Sequence, residues 1–132
     1  MKNYDSDQLV KAAKQARNFS QAKYSNFPVG AALLSDDGQV FSGCNVESSS
    51  YSMTICAERV ALTKALSEGT TKFKAIGIAA KDGDFCPPCG ACRQLLYDYA
   101  PNIDIILTDG KSIKSYKLAD LLPLAFNDSQ LG

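Results

Sequence analysis

The sequence contains no histidine, and only three of its fourteen acidic residues are glutamates. Without histidine, both the usual general base and the commonest nitrogen ligand of metal ions are missing. Acid–base chemistry must then come from a carboxylate, a lysine, a tyrosine or a cysteine. Two of the three glutamates, Glu47 and Glu58, lie in the segment Asn45–Arg59. This segment is therefore the first candidate for chemistry.

Long apolar runs are also absent, since none approaches the roughly 18 residues that a membrane helix needs. The first seven residues are polar and include Asp5 and Asp7, which is unlike a secretory signal. These features predict a cytoplasmic protein that does not bind membranes.

The sequence also lacks a cluster of positive charge. Fourteen basic residues balance fourteen acidic ones, and the isoelectric point is about 6.2. No segment is basic enough to follow a phosphate backbone, so nucleic acid is not an expected partner. The expected partner is a small neutral molecule.

The 132 residues, of which 45% are apolar and 21% charged, predict a single domain spanning residues 1–132. Apolar spacing, caps and turn signals indicate helices and strands in a mixed order. Helices are predicted over 5–19, from a cap at Ser52 or Thr54 to Ser67, from Cys89 to before Pro101, and over 118–122. Strands are predicted over 29–34, 39–44, 74–80, 103–107 and 112–116. This order predicts an α/β sandwich with a mixed sheet and helices on both faces.

Five cysteines without a secretory signal indicate metal binding or catalysis rather than disulfides. Cys56, Cys89 and Cys92 lie at predicted helix N-termini, where the helix dipole favours thiolates. A catalytic zinc ion usually has three protein ligands and one open position, so these three thiols are the predicted ligands. The spacing leaves Cys86 open as an alternative ligand, whereas Cys44 is expected to be a small buried residue.

Glu58 follows Cys56 by two residues, which can place its carboxylate beside the open metal position as a proton acceptor. The alternative is a glutamate that only stabilises its helix N-terminus. Three thiolates leave zinc with excess negative charge, and one or both of Arg59 and Arg93 are predicted to donate hydrogen bonds to them. For Arg93, a solvated surface position is an equal alternative.

The residues together resemble the zinc-dependent cytidine deaminases of the short, homotetrameric type, with Cys56 in the position of the histidine in the His-x-Glu motif of zinc deaminases. The resemblance extends over almost the whole chain. It rests on Tyr24–Ala32, Gly43–Glu47, Cys56–Arg59, Pro88–Gln94 and Leu121–Phe126.

This resemblance implies a three-layer αβα sandwich with a five-stranded sheet and one zinc ion per subunit. It implies hydrolytic deamination of cytidine and 2′-deoxycytidine in pyrimidine salvage, with release of ammonia. An activated water would attack C4 of the base. Glu58 would accept the water proton, protonate N3 and assist the departure of the amino group.

The resemblance also implies the substrate contacts. Asn45 and Glu47 match residues that hold the sugar hydroxyls, Phe27 matches an aromatic that packs on the nucleoside, and Ala57 presents its backbone to the pocket. Tyr51 lies in a segment that lines the pocket at a subunit boundary. Phe126 matches a C-terminal aromatic that reaches the active site of a neighbouring subunit.

The sequence leaves three alternatives open. A blasticidin-S-type deaminase shares the metal motif, although Glu47 favours a ribose substrate. A structural zinc module leaves Glu58 without a role. Deamination within RNA or DNA is disfavoured by the lack of a basic, aromatic strand-binding surface.

Overall fold

The computed structural model describes residues 3–131, whose helices and strands are arranged around a five-stranded sheet. In chain order they are α1 (Ser6–Arg17), β1 (Gly30–Ser35), β2 (Val40–Cys44), α2 (Ala57–Ser67), β3 (Phe73–Ala79), α3 (Gly90–Tyr99), β4 (Asp104–Thr108), β5 (Ile113–Lys117) and α4 (Leu118–Leu121). Short 3₁₀ turns at Tyr51–Met53 and Asp128–Leu131 complete the described chain. Within residues 3–131, no helix combines the length and apolar character needed to cross a bilayer.

The strand order is β2-β1-β3-β4-β5. The β1–β2 hairpin is antiparallel, with Gly30 opposite Cys44, and β1 also pairs antiparallel with β3. The β3–β4 pair is parallel, and β5 closes the sheet as an antiparallel edge strand. The predicted mixed sheet is therefore confirmed.

Helices cover both faces of the sheet, as predicted. Helix α1 is amphipathic and buries its apolar residues against one face, in a cluster of Leu9, Val10, Ala13, Ala32, Leu34, Ala75, Ala79 and Ile106. Helices α2 and α3 pack on the other face, in a cluster that includes Ala31, Leu33, Ile76, Ile78, Ala61, Leu62 and Leu96. The protein is a three-layer αβα sandwich.

Gly43 in β2 allows α2 to rest directly on the sheet. A Cβ atom at this position would lie 2.4 Å from the carbonyl oxygen of Ala57 and 2.6 Å from the amide nitrogen of Ala61. Any side chain here would push the helix outward, because backbone atoms cannot move aside as a flexible side chain can. Gly43 therefore determines how closely the start of α2 approaches the sheet.

The prediction that Ser52 or Thr54 caps α2 is wrong, because the helix begins at Ala57 with Cys56 as its N-cap. The Thr54 hydroxyl instead accepts a hydrogen bond of 3.1 Å from the Ser48 amide. Next to it, Ile55 forms an antiparallel bridge with Val46. This pairing keeps the chain extended up to Cys56.

Candidate metal centre and substrate cavity

Two helix starts bring three thiols together. Cys56 is the N-cap of α2, Cys89 is the N-cap of α3, and Cys92 lies in the first turn of α3. The Sγ atom of Cys89 lies 3.9 Å from that of Cys56 and 3.4 Å from that of Cys92, and all three sulfurs lie within 4.8 Å of one another. Tetrahedral zinc with Zn–S bonds of about 2.3 Å would separate its sulfur ligands by about 3.8 Å. The cluster therefore fits zinc.

The three thiols differ in how readily they lose a proton. The pKa of Cys56 is lowered to about 5, chiefly by a hydrogen bond from Cys92 and next by one from Arg59. The hydrogen bond to Cys56 and burial both raise the pKa of Cys92. The cluster thus stabilises a thiolate at Cys56 before any metal binds. Soft, negatively charged sulfur ligands are the donors that zinc accepts readily.

The two arginines have different contacts. Nη2 of Arg59 lies 3.8 Å from the Cys56 sulfur and donates a hydrogen bond of 3.1 Å to the Thr54 carbonyl. The described hydrogen bonds of Arg93 go to the carbonyls of Pro88 at 2.7 Å and Leu121 at 2.8 Å. Arg59 can therefore offset thiolate charge directly, whereas Arg93 joins the loop before Cys89 to the C-terminal segment.

Glu58 lies in the first turn of α2 and is only 5% exposed. Burial is the main cause that raises the pKa of its carboxyl group to about 7. A buried carboxyl group that exchanges its proton near neutral pH is suited to general acid–base chemistry. The carboxyl group also interacts with the Cys56 and Cys92 thiols, and Glu58 lines a cavity.

This cavity, which we call the substrate cavity, has a volume of about 440 Å³. Its lining residues are Ser25, Phe27, Val29, Asn45, Glu47, Thr54, Cys56, Ala57, Glu58, Cys86, Pro87 and Cys89. It therefore combines two of the three clustered thiols with the buried carboxyl group and the predicted sugar-binding pair.

Asn45 is only 8% exposed, and hydrogen bonds hold both the oxygen and the nitrogen of its side-chain amide. Its Oδ1 accepts hydrogen bonds from the Val29 amide at 3.0 Å and from the Ser20 hydroxyl. Its Nδ2 donates one of 2.9 Å to the Phe27 carbonyl. Among the described residues, these hydrogen bonds thus use one of its two N–H groups, and Asn45 lines the substrate cavity.

The carboxylate of Glu47 is held by the loop before β1. Its Oε1 accepts hydrogen bonds from the amides of Tyr24 at 3.0 Å and Ser25 at 2.9 Å, and its Oε2 accepts one from the Ser25 hydroxyl. These bonds, led by the one from the Ser25 hydroxyl, lower the pKa of Glu47. Glu47 is therefore ionised at neutral pH.

Not every predicted contact residue reaches the substrate cavity of its own chain. Tyr51, at 82% exposure, lines an adjoining cavity of about 330 Å³ that shares Ser25, Glu47 and Thr54 with the first. Phe126 lines a different cavity beside α3, where its carbonyl accepts a hydrogen bond of 3.0 Å from Gln94.

Cys86 lines the substrate cavity but lies outside the three-thiol cluster of the described residues. The sequence patterns did not single out Ser25, Thr54 or Pro87 as cavity residues. Ser25 lies inside the conspicuous segment Tyr24–Ala32, which was the available signal.

An αβα sandwich with three thiols and a buried carboxyl group at two helix N-termini defines a class of zinc-binding α/β proteins. The chain belongs to the family described as "Cytidine and deoxycytidylate deaminase zinc-binding region", which matches residues 3–106.

Similar proteins match nearly the full chain. A cytidine deaminase from Sporosarcina psychrophila is 44% identical over 129 residues, covering 96% of this chain and 95% of that protein. The crystal structure of a cytidine deaminase from Burkholderia pseudomallei has a TM-score of 0.87 at 43% identity, covering 96% of this chain and 100% of that one. A blasticidin-S deaminase from Bacillus cereus is 32% identical over 107 residues, covering 74% of this chain and 76% of that protein.

Proposed function

We propose that this protein is a zinc-dependent deaminase that hydrolyses cytidine and 2′-deoxycytidine to uridine and 2′-deoxyuridine with release of ammonia. The observation that carries the proposal is the buried Glu58 carboxyl group, which interacts with the three-thiol cluster and lines the same cavity as Asn45 and Glu47. The names of the similar full-length proteins support the same reaction.

Zinc held by Cys56, Cys89 and Cys92 would supply Lewis-acid activation of a water molecule. Glu58 accepts a proton from this water as the water oxygen bonds to C4 of the pyrimidine, and it delivers that proton to N3. Glu58 then transfers the second water proton to the amino group at C4, and ammonia leaves as the C4 carbonyl forms. Burial of Glu58 keeps its proton affinity close to that required near neutral pH.

The hydrogen-bonding capacity of Asn45 and Glu47 defines the proposed sugar site. Asn45 has one N–H left to donate, and Oε2 of Glu47 has one lone pair left to accept. One donor and one acceptor complement a single hydroxyl group. A site that holds one hydroxyl common to ribose and deoxyribose would accept both nucleosides.

The direct test is the loss of cytidine absorbance during incubation with the purified protein. We expect turnover that a zinc chelator abolishes and added zinc restores. Blasticidin S should be assayed beside cytidine, because a preference for the antibiotic would replace the proposed substrate. Zinc binding without turnover of either compound would favour a structural zinc module.

We also propose a homotetramer with active sites shared between subunits, acting in the cytoplasm in pyrimidine salvage. Large apolar side chains stand exposed along the substrate cavity and the adjoining cavity: Phe27 at 42% in the first, and Tyr24 at 52% and Tyr51 at 82% in the second. Neighbouring copies would bury these groups. All five cysteines are free thiols, which suits a reducing compartment.

Light scattering measures the subunit number, and subunit mixing tests whether active sites are shared. Phe126→Ala and Glu58→Gln chains should each be weakly active alone. After refolding together they should regain turnover, because some sites would combine Glu58 from one chain with Phe126 from another. An unchanged sum of the two activities would contradict the role of Phe126 in a neighbouring site.

A further inference from the structure

The loop over residues 24–27 surrounds the carboxylate of Glu47, and Ser25 is the residue that contacts both of its oxygens. The Ser25 amide donates to Oε1 at 2.9 Å, and the Ser25 hydroxyl donates to Oε2. The other bond to Oε1 comes from the amide of Tyr24 at 3.0 Å. Since both amide bonds end on the same oxygen, the hydroxyl provides the described hydrogen bond to the second oxygen.

The direction of the Ser25 hydroxyl is also determined. Its oxygen accepts a hydrogen bond of 3.1 Å from the Phe27 amide. Asn26 makes this possible because its φ of 57° is in the left-handed region, which asparagine tolerates better than most residues. With one lone pair engaged by Phe27, the hydroxyl directs its proton toward Glu47.

The same interactions continue to the second sugar-binding residue. The Phe27 carbonyl accepts a hydrogen bond of 2.9 Å from Nδ2 of Asn45. The Phe27 amide, the Ser25 hydroxyl and Glu47 thus form one chain of hydrogen bonds, and the Phe27 carbonyl connects the same residue to Asn45. Because bonds in such sets polarise and orient one another, a change at Ser25 affects how the acceptor on Glu47 is presented.

We propose that Ser25 is a positioning residue for sugar recognition, whose hydroxyl fixes the rotation of the Glu47 carboxylate so that the remaining lone pair of Oε2 faces the substrate. This inference rests on the proposed nucleoside deaminase function. Without the hydroxyl, both remaining bonds act on Oε1, and Oε2 can turn away or bind water. The substrate hydroxyl then loses a directed acceptor, while Glu58 and the thiols are unaffected.

The kinetic test compares 2′-deoxycytidine with 2′,3′-dideoxycytidine, which lacks the 3′-hydroxyl. Hydrogen bonds to charged groups are each worth roughly tenfold or more in binding, so we expect Ser25→Ala to raise the KM for 2′-deoxycytidine by about tenfold. The kcat should stay within about twofold, as for a change that affects substrate binding and not chemistry. The ratio of kcat/KM between the two substrates should shrink by about the same tenfold factor.

Two further variants make the kinetic test specific. Ser50→Ala removes an exposed hydroxyl on the neighbouring loop that makes no helix-cap hydrogen bond, and it should leave the substrate ratio unchanged. Ser25→Thr keeps the hydroxyl and should restore the ratio. An unchanged ratio in Ser25→Ala, or a Ser25→Thr variant as impaired as Ser25→Ala, overturns the inference while wild-type turnover of cytidine still supports the proposed function.

A second readout does not depend on turnover. The hydrogen bond from the Ser25 hydroxyl is the largest cause that lowers the pKa of Glu47. Titration of protein with carboxyl-labelled glutamate, followed by nuclear magnetic resonance, reports this pKa, and Glu47→Gln assigns its signal among the three glutamates. The pKa of Glu47 should rise toward its ordinary value in Ser25→Ala and not in Ser50→Ala. An equal pKa in wild type and Ser25→Ala overturns the inference whatever the substrate is.

Discussion

The guanidinium group of Arg59 bridges the Cys56 thiol and the Thr54 carbonyl, with Nη2 at 3.8 Å from the sulfur and 3.1 Å from the oxygen. Its Nε is buried without a hydrogen-bond acceptor among residues 3–131. Burying an unpaired N–H costs roughly 1–3 kcal/mol, so a compensating attraction must keep the side chain in place. The negative charge of the neighbouring Cys56 thiolate provides that attraction.

Arg59→Gln should therefore weaken zinc binding. Loss of a group that hydrogen-bonds a metal ligand typically reduces metal affinity by roughly 10–100-fold. Competition against a chromophoric chelator measures this affinity. Arg93→Gln is the matched control, because its described bonds go to two backbone carbonyls; it should reduce stability more than zinc affinity. Equal zinc affinity in wild type and Arg59→Gln would refute charge balancing by Arg59.

Glu58→Gln should separate zinc binding from catalysis. The amide matches the carboxyl group in size but cannot accept and release the proton, so kcat should fall by about 10²–10⁴-fold. Metal analysis should still find one zinc ion per chain. Glu68→Gln, at the C-cap of the same helix, is the control and should retain full turnover. Substantial activity in Glu58→Gln would assign the proton transfers to another group.

Gly43→Ala should disturb both the fold and the metal centre. The new Cβ would press on the backbone of Ala57 and Ala61, and such overpacking costs about 1–3 kcal/mol in the free energy of unfolding. Displacement of the start of α2 would also weaken zinc binding through Cys56. Gly90→Ala is the control, because its Cβ would meet no atom within 4 Å although it follows Cys89 directly. Denaturant unfolding and zinc competition, run on both variants, should show losses only for Gly43→Ala.

The contact between Tyr4 and Asp104 predicts a stability change in alkaline solution. Burial and the 2.5 Å hydrogen bond to Asp104 raise the pKa of Tyr4 above its ordinary value of 10.0. The folded state therefore holds this proton more tightly, and the contribution is full below pH 10 and lost as pH rises toward the higher pKa. Tyr4→Phe should lose roughly 1 kcal/mol at neutral pH.

Between about pH 9 and 11, the free energy of unfolding should fall more steeply for wild type than for Tyr4→Phe, because the variant lacks the titrating group. Urea unfolding across this range measures the difference. Tyr99→Phe, at a half-exposed position, controls for general alkaline effects. Parallel curves for wild type and Tyr4→Phe would contradict the linkage.

The order of the nine helices and strands from α1 to α4 was predictable, because turn signals and apolar periodicity are local features of the sequence. The position of β1 between β2 and β3 was not, since strands buried on both faces carry no alternation that identifies a neighbour. The start of α2 was misplaced for a related reason. The pairing of Ile55 with Val46 overrides the capping preference of Thr54, and it depends on a contact between loops.

The candidate site was predictable where residue type and spacing define the chemistry, as for the three thiols and Glu58. The contacts of Arg93 and the position of Ser25 were not predictable from spacing. Both depend on loop conformation, such as the left-handed Asn26, which places the Phe27 amide against the Ser25 hydroxyl.

The two helix starts that carry the thiols are far apart along the chain, with Cys56 and Cys89 separated by 33 residues. Between them along the chain lies β3, which occupies the centre of the sheet between β1 and β4. Bringing Cys56 and Cys89 together costs the entropy of closing the long loop between them. This cost is much smaller for two thiols that lie close together on one helix. Complete three-sulfur coordination should therefore form late in folding, so that the rate of zinc capture reports completion of the central sheet.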